Sequence, residues 1–258
     1  MAVKTPASKV GTKATDDTVA GSSKREGEGP PARKLRVMCL HGFRTSARIM
    51  QKQIEVAQWI PLLDDLVEFV YMEAPYAASG KSASGEKFEP PFFEWYQANQ
   101  DYTEVYGLEE SIEQIAAFIK SRGPFDGLMG FSQGGVLSGA LVGLQEKGLA
   151  LRDIEPFRFV VVIGSAVARY PLLKPAYLEP IRTSSLHFIG EKDFMRKGGE
   201  LLVQAYRDPT VIRHPHGHLI PRLAQDEAEA CRAFFEKFFN LKYPEAKSSR
   251  PLSIRAPL

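Results

Sequence analysis

The chain has 258 residues, 44% of them hydrophobic, and a formal net charge of +2, enough apolar material for one sizeable core in one main domain. The charge is uneven: residues 1–34 hold seven Lys/Arg against four Asp/Glu and residues 241–258 hold four against one, which leaves a mildly acidic body between basic ends. That distribution gives no electrostatic footprint for nucleic acid. No run reaches the roughly 18 apolar residues of a membrane span, and two cysteines are too few for a disulfide framework.

Residues 1–33 are polar and without hydrophobic period, which predicts a disordered tail. They lack the apolar stretch of a secretory signal, and Asp16, Asp17, Glu26 and Glu28 argue against a transit peptide without removing organellar targeting as an option. The expectation is a cytoplasmic protein, compatible with a nuclear pool, with Cys39 and Cys231 as buried, reduced thiols. The folded domain is expected over 34–240, followed by a flexible tail over 241–258.

Within that domain Leu35–Leu40 reads as a strand ending at His41-Gly42-Phe43, and a helix opens at Ser46 with Ile49, Met50, Gln53, Ile54 and Ala57 along one face. Val67–Met72 is a second strand. Residues 74–103 form a long connection with Pro75, Pro90 and Pro91, and Leu108–Arg122 is a helix closed by Gly123-Pro124. Phe125–Phe131 is the next strand, Gly134–Lys147 a helix, and Phe157–Ile163 a continuous apolar strand of a sheet interior. After a Pro-punctuated excursion over 165–184 come a strand at Ser185–Ile189, a helix near 198–206, a strand near 210–214 and a last helix from about Pro221 to Phe239. Alternation of strand and helix implies an α/β fold, a doubly wound, mostly parallel sheet wrapped by helices.

Chemistry concentrates at Gly130-Phe131-Ser132-Gln133-Gly134, a G-x-S-x-G pentapeptide between the Phe125–Phe131 strand and the following helix. In that setting a tight strand-to-helix turn, a nucleophile elbow, pushes the serine hydroxyl out of the sheet edge, and the helix start aims free amides at a reacting oxygen. A serine hydroxyl needs a base, and the base an orienting acid. His41 and His187 precede or sit within strands, which leaves His214, His216 and His218 near the last strand. His218 is favoured because Gly217 lets the loop turn back and Pro221 is expected to start the helix; His216 is the runner-up. Asp193, shortly after the Ser185–Ile189 strand, is the favoured acid over Glu191, Asp208 and Asp153, with a helix-capping role as its competing explanation. The oxyanion donors are expected to be the backbone amides of Gln133 and Phe43, with Gly42 allowing close approach and His41 bracing the loop. Tyr76, Phe88, Phe92, Phe93, Trp95, Tyr96, Tyr102 and Tyr106 make the long connection and its sequel aromatic, either as core packing or as an apolar wall for an acyl chain.

Taken together, Leu40-His41-Gly42-Phe43, Gly130–Gly135, the Gly190-x-x-Asp193 turn and Pro215–Pro221 make the stretch from Leu35 to Asn240 resemble the family of serine hydrolases. This is the small α/β-hydrolase group that includes the ovarian-cancer-associated esterase-like proteins. The resemblance implies an α/β-hydrolase fold and a carboxylic ester hydrolase needing no metal or cofactor, with Ser132, Asp193 and His218 as its triad. Its histidine loop departs from the family's frequent Gly-Gly-His by carrying His216 in place of the first glycine. The partner expected is a small-molecule ester or thioester; a receptor on a hydrolase scaffold that binds without turnover is the competing class.

Overall fold

The computed structural model describes residues 33–78, 88–99 and 104–248. The expected N-terminal tail, apart from Arg33, and residues 249–258 of the expected C-terminal tail lie outside them.

Strand β1 (Leu35–Leu40) leads through a loop into helix α1 (Ala47–Val56). Ser46 caps it: an extended backbone lets its hydroxyl accept the Ile49 amide at 3.2 Å, satisfying one of the donors a helix start leaves free. Ile49, Met50, Gln53 and Ile54 are buried on one face, as their spacing predicts. A short helix, α2 (Trp59–Leu63), follows where no element was expected; Trp59 anchors it and donates its indole N–H to Pro221 O at 2.8 Å. Strand β2 (Val67–Met72) then runs parallel to β1.

The long connection carries two small antiparallel ladders among its described residues. Strand β3 (Tyr76–Ala78) pairs with β4 (Phe92–Glu94), and β5 (Gln97–Ala98) with β6 (Val105–Tyr106). Two or three residues are too few to show the alternation from which strands are read. Helix α3 (Leu108–Arg122) buries Ile115 and Ile119 and leads to β7 (Gly127–Phe131), all five of whose residues are buried. One residue later begins α4 (Gln133–Glu146). Strand β8 (Phe159–Ile163) is likewise buried throughout, followed by β9 (Ser184–Gly190), α5 (Arg196–Gln204), β10 (Thr210–His214) and α6 (Gln225–Lys242). Two boundaries differ from expectation. The last helix starts at Gln225, four residues after Pro221. At its far end it passes residue 240, and a 3-10 turn continues over Pro244–Ser248, so order reaches into the stretch expected as tail.

The six long strands form one parallel sheet in the order β10-β9-β8-β7-β1-β2. Alternation along each strand assigns its side chains to opposite faces. Val37, Cys39, Met129, Phe131, Val161 and Ile163 join the core packed by α1, α2 and the phenylalanines of α6. Met38, Leu40, Leu128, Val160 and Val162 join the core packed by α3, α4 and Leu202 of α5. Helices thus cover both faces, as expected of a doubly wound α/β-hydrolase sheet. Cys39 and Cys231 are free and buried, and burial raises both thiols above their ordinary range. Chain order reverses between β1 and β7, and a crevice at such a switch point, outside the carboxyl ends of the strands, is where doubly wound sheets bind ligands.

One buried group ties this core to pH. His187 of β9 is buried, bonds the Ser185 hydroxyl at 3.0 Å and meets Tyr206 edge to face. Burial pushes its pKa down from 6.5 to about 4. The unfolded chain therefore binds a proton between those values that the folded one refuses. Stability present above pH 6.5 is lost as the pH falls towards 4, by about 3 kcal/mol in total. Thermal melts are expected to show a falling Tm across that window and a flatter slope in His187→Gln; an unchanged slope would exclude His187 as the cause.

Candidate active site

Chain geometry at Ser132 begins with its neighbours. A Cβ on Gly130 would lie 2.2 Å from Gly134 O and keep the turn from closing, and one on Gly134 would lie 2.2 Å from Leu40 O and keep the turn from packing against the end of β1. Ser132 itself has φ 53° and ψ −118°, a region that costs a non-glycine residue about 1–3 kcal/mol. Sheet and helix hold it there: its N–H donates to Ile163 O at 3.0 Å and its carbonyl accepts the Val136 N–H at 2.9 Å.

The hydroxyl so presented meets a residue 86 positions away. Ser132 Oγ lies 2.9 Å from His218 Nε2, and His218 Nδ1 lies 2.9 and 3.0 Å from the two carboxylate oxygens of Asp193. Both side chains of the histidine–aspartate pair are almost fully buried. One tautomer satisfies all three contacts: the imidazole proton on Nδ1 facing the carboxylate, and Nε2 free to accept the hydroxyl proton. Asp193 Oδ1 also accepts the Met195 N–H at 2.7 Å at the start of α5. The N-cap position of α5 is Met195, with no side-chain cap, so the capping role weighed against the acid role does not fall to Asp193; its carboxylate instead fixes the turn that precedes the helix.

The loops that deliver these groups are joined by backbone. Glu191 N–H donates to His214 O at 2.9 Å and Lys192 N–H to His216 O at 3.1 Å. A Cβ on Gly190 would sit 2.7 Å from the carbonyls of His216 and Gly217, so that glycine is what lets the histidine loop lie against β9. His216, the runner-up base, turns its ring towards His214, 5.8 Å between centroids, rather than towards Ser132. Among the other acids, Glu191 and Asp208 are exposed, and Asp153 is a surface partner of Lys120. Pro221 does not start the following helix; its carbonyl instead receives the Trp59 indole, which fixes the loop's exit.

Gly42 brings the loop after β1 against the nucleophile, since a Cβ there would stand 3.3 Å from Ser132 Cβ. His41 braces that loop from within the core: Nδ1 faces Gly42 O at 2.9 Å, and Nε2 accepts the Ala74 N–H at 3.1 Å. Phe43, half-buried, has the Arg44 guanidinium 4.7 Å above its ring. The Gln133 side chain has a task the sequence did not suggest. Its Oε1 accepts the Trp95 N–H at 2.9 Å and its Nε2 donates to Tyr96 O at 2.8 Å, clamping the long connection to the elbow. Trp95 and Tyr96 are buried in the main core, so core packing rather than an acyl wall accounts for them; Tyr102 lies outside the described residues.

Two contributors escaped the sequence reading. Phe194 is 69% exposed yet packs against the His218 ring, tilted by 45° with centroids 4.4 Å apart, and Phe131 meets the same ring at 4.9 Å. Its signal was only adjacency to Asp193. Gly164, at φ +50°, leaves the room in which the pair meets, because a Cβ there would lie 2.9 Å from Asp193 Oδ2 and 3.1 Å from His218 Nδ1. A glycine ending the buried β8 strand was the available signal. Gly164→Ala is expected to lower kcat by about 10²-fold by displacing the imidazole, with a smaller effect on KM. Unchanged kcat at unchanged Tm would show that the pair tolerates the methyl group.

A hydroxyl, an imidazole and a carboxylate in series can move a proton off the hydroxyl as it attacks, then return it to a leaving group. Among the described residues no cluster of His, Cys, Asp and Glu could hold a metal ion, and no helix is long and apolar enough to cross a membrane.

Known proteins resemble the chain along most of its length. A family model described as serine hydrolase (FSH1) matches residues 31–230. Esterase GA18864 of Drosophila pseudoobscura pseudoobscura is 28% identical over 245 residues, covering 91% of this chain and 83% of the relative. Esterase OVCA2 of Danio rerio is 29% identical over 229 residues, covering 79% and 97%. Among solved structures, Zea mays acyl-protein thioesterase 2 has a TM-score of 0.56 at 14% identity, covering 83% of this chain and 97% of that one, a likeness of fold.

Proposed function

The chain belongs to the serine hydrolase (FSH1) family, and from that premise we propose that it cleaves carboxylic esters of small or medium acyl chains by acyl transfer through Ser132. Ser132 Oγ attacks the acyl carbonyl carbon while His218 Nε2 takes its proton; the carbonyl oxygen becomes an oxyanion facing the Gln133 and Phe43 amides. His218 returns the proton to the departing alcohol as the carbon–oxygen bond breaks. Water then attacks the acyl-enzyme, giving its proton to His218, and the acid leaves as Ser132 regains the proton. Asp193 holds the imidazole in register throughout.

The observation that carries this reading is the 2.9 Å contact between Ser132 Oγ and His218 Nε2. Labelling with a fluorophosphonate followed by mass spectrometry is expected to place the adduct on Ser132; modification at another hydroxyl would discard the assignment. The base is tested separately. His218→Ala is expected to lower kcat on p-nitrophenyl butyrate by about 10⁴-fold or more, and His216→Ala by less than about tenfold. The reverse ranking would transfer the role to His216.

A thioester is the second reading, suggested by the fold shared with a maize protein named as an acyl-protein thioesterase. Both substrates pass through a tetrahedral oxyanion, so kcat/KM on matched oxygen and sulfur esters decides between them.

A further inference from the structure

A cleft of about 500 Å³, within the ~300–1,000 Å³ range of small-molecule sites, opens between α1 and the loop after β10. Val56, Leu219, Ile220 and Phe88 make its lining mainly apolar, and Lys52 and Arg222 add two cations. Neither Ser132 nor His218 lines it, so it is not the reaction centre. Its wall is nevertheless the segment that carries the proposed base: Leu219 and Ile220 follow His218 directly, and His216 also contributes.

Val56 is 65% exposed at this cleft, aliphatic surface that a chain laid there would take out of water. The two cations are weakly engaged. Lys52 has a loose contact with Glu55, 3.7 Å away, and that carboxylate also accepts the Gln51 amide at 3.2 Å. Arg222 is exposed, and no carboxylate pairs with it among the described residues. Apolar lining with uncommitted positive charge is complementary to an apolar chain that ends in an anion.

We propose that this cleft holds the far arm of the substrate, an apolar chain ended by a carboxylate or phosphate, and that Lys52 and Arg222 select for that charge. The proposal rests on the ester-hydrolase reading above and adds the class of substrate. The anion sits either at the end of the acyl chain or on the leaving group, and two matched pairs separate these sources. The p-nitrophenyl monoester of suberic acid against p-nitrophenyl octanoate reads the acyl side. Octanoyl-coenzyme A against octanoyl-N-acetylcysteamine reads the leaving-group side.

In at least one pair the charged member is expected to have the higher kcat/KM. The double variant Lys52→Glu/Arg222→Glu is expected to lower that value about tenfold while changing the neutral member less than about twofold. Val56→Trp, which fills the cleft, is expected to lower turnover of octanoyl substrates and spare p-nitrophenyl acetate. Absence of a charge preference in both pairs, or an equal loss for charged and neutral members in the double variant, overturns the proposal. Calorimetry with suberic acid monomethyl ester on the Ser132→Ala protein reads the cleft without turnover. Charge-dependent binding by an enzyme that hydrolyses no ester would sink the hydrolase reading and keep the cleft. Fast hydrolysis without such binding, and without a preference for octanoyl-coenzyme A over octanoyl-N-acetylcysteamine, would do the opposite.

Discussion

Ser132→Ala is expected to reduce kcat on p-nitrophenyl butyrate by about 10⁴–10⁶-fold while leaving the fold intact. The size follows from what is removed: without the hydroxyl no acyl-enzyme forms, and water must attack in a site shaped for a tethered nucleophile. What survives is the contribution of binding and the oxyanion amides, about 10³–10⁴ over the uncatalysed reaction. The fold should tolerate the change because alanine keeps the Cβ that the turn already accommodates at φ 53°, and the backbone bonds to Ile163 and Val136 do not involve the side chain. Loss of one hydroxyl that bonds only His218 moves Tm by a few degrees at most. The measurement is steady-state turnover beside a thermal melt of the same preparation. Near-full activity would show that another group is the nucleophile.

Much of this site was legible because its chemistry names its residue types and the alternating pattern fixes their order. The buried run at β8, the G-x-S-x-G turn and a histidine after the last strand each left a local mark. The elements that did not are those whose role is spatial. Gly164 acts by lacking a Cβ beside two residues distant from it in sequence, and Phe194 by resting on a ring 24 positions later. The short ladders of the long connection are held by Gln133 and by the core around Trp95, and their sequences carry no period of their own. Pro221 shows the opposite failure: a strong local signal for a helix start was overridden by its carbonyl's bond to Trp59, 162 residues earlier.

Asp193→Asn is the sharper test, because it changes a hydrogen-bonding sense and almost no volume. The native carboxylate only accepts: it takes the imidazole proton on Nδ1 and the Met195 N–H at 2.7 Å. An asparagine can keep its carbonyl on Met195, which preserves the turn before α5, and then its amide must point an N–H at His218 Nδ1. That donor favours the tautomer with the proton on Nε2, where it faces Ser132 Oγ and leaves no lone pair to receive the hydroxyl proton. Turnover is expected to fall by about 10⁴-fold at neutral pH, with Tm within a few degrees of the parent protein. Asp193→Ala removes both bonds, so it should lose comparable activity and more stability, since the Met195 amide would be left without its acceptor. Equal stability of the two variants would mean that the carboxylate does not hold that turn. An asparagine variant with near-native turnover would mean that the histidine is oriented by something other than Asp193.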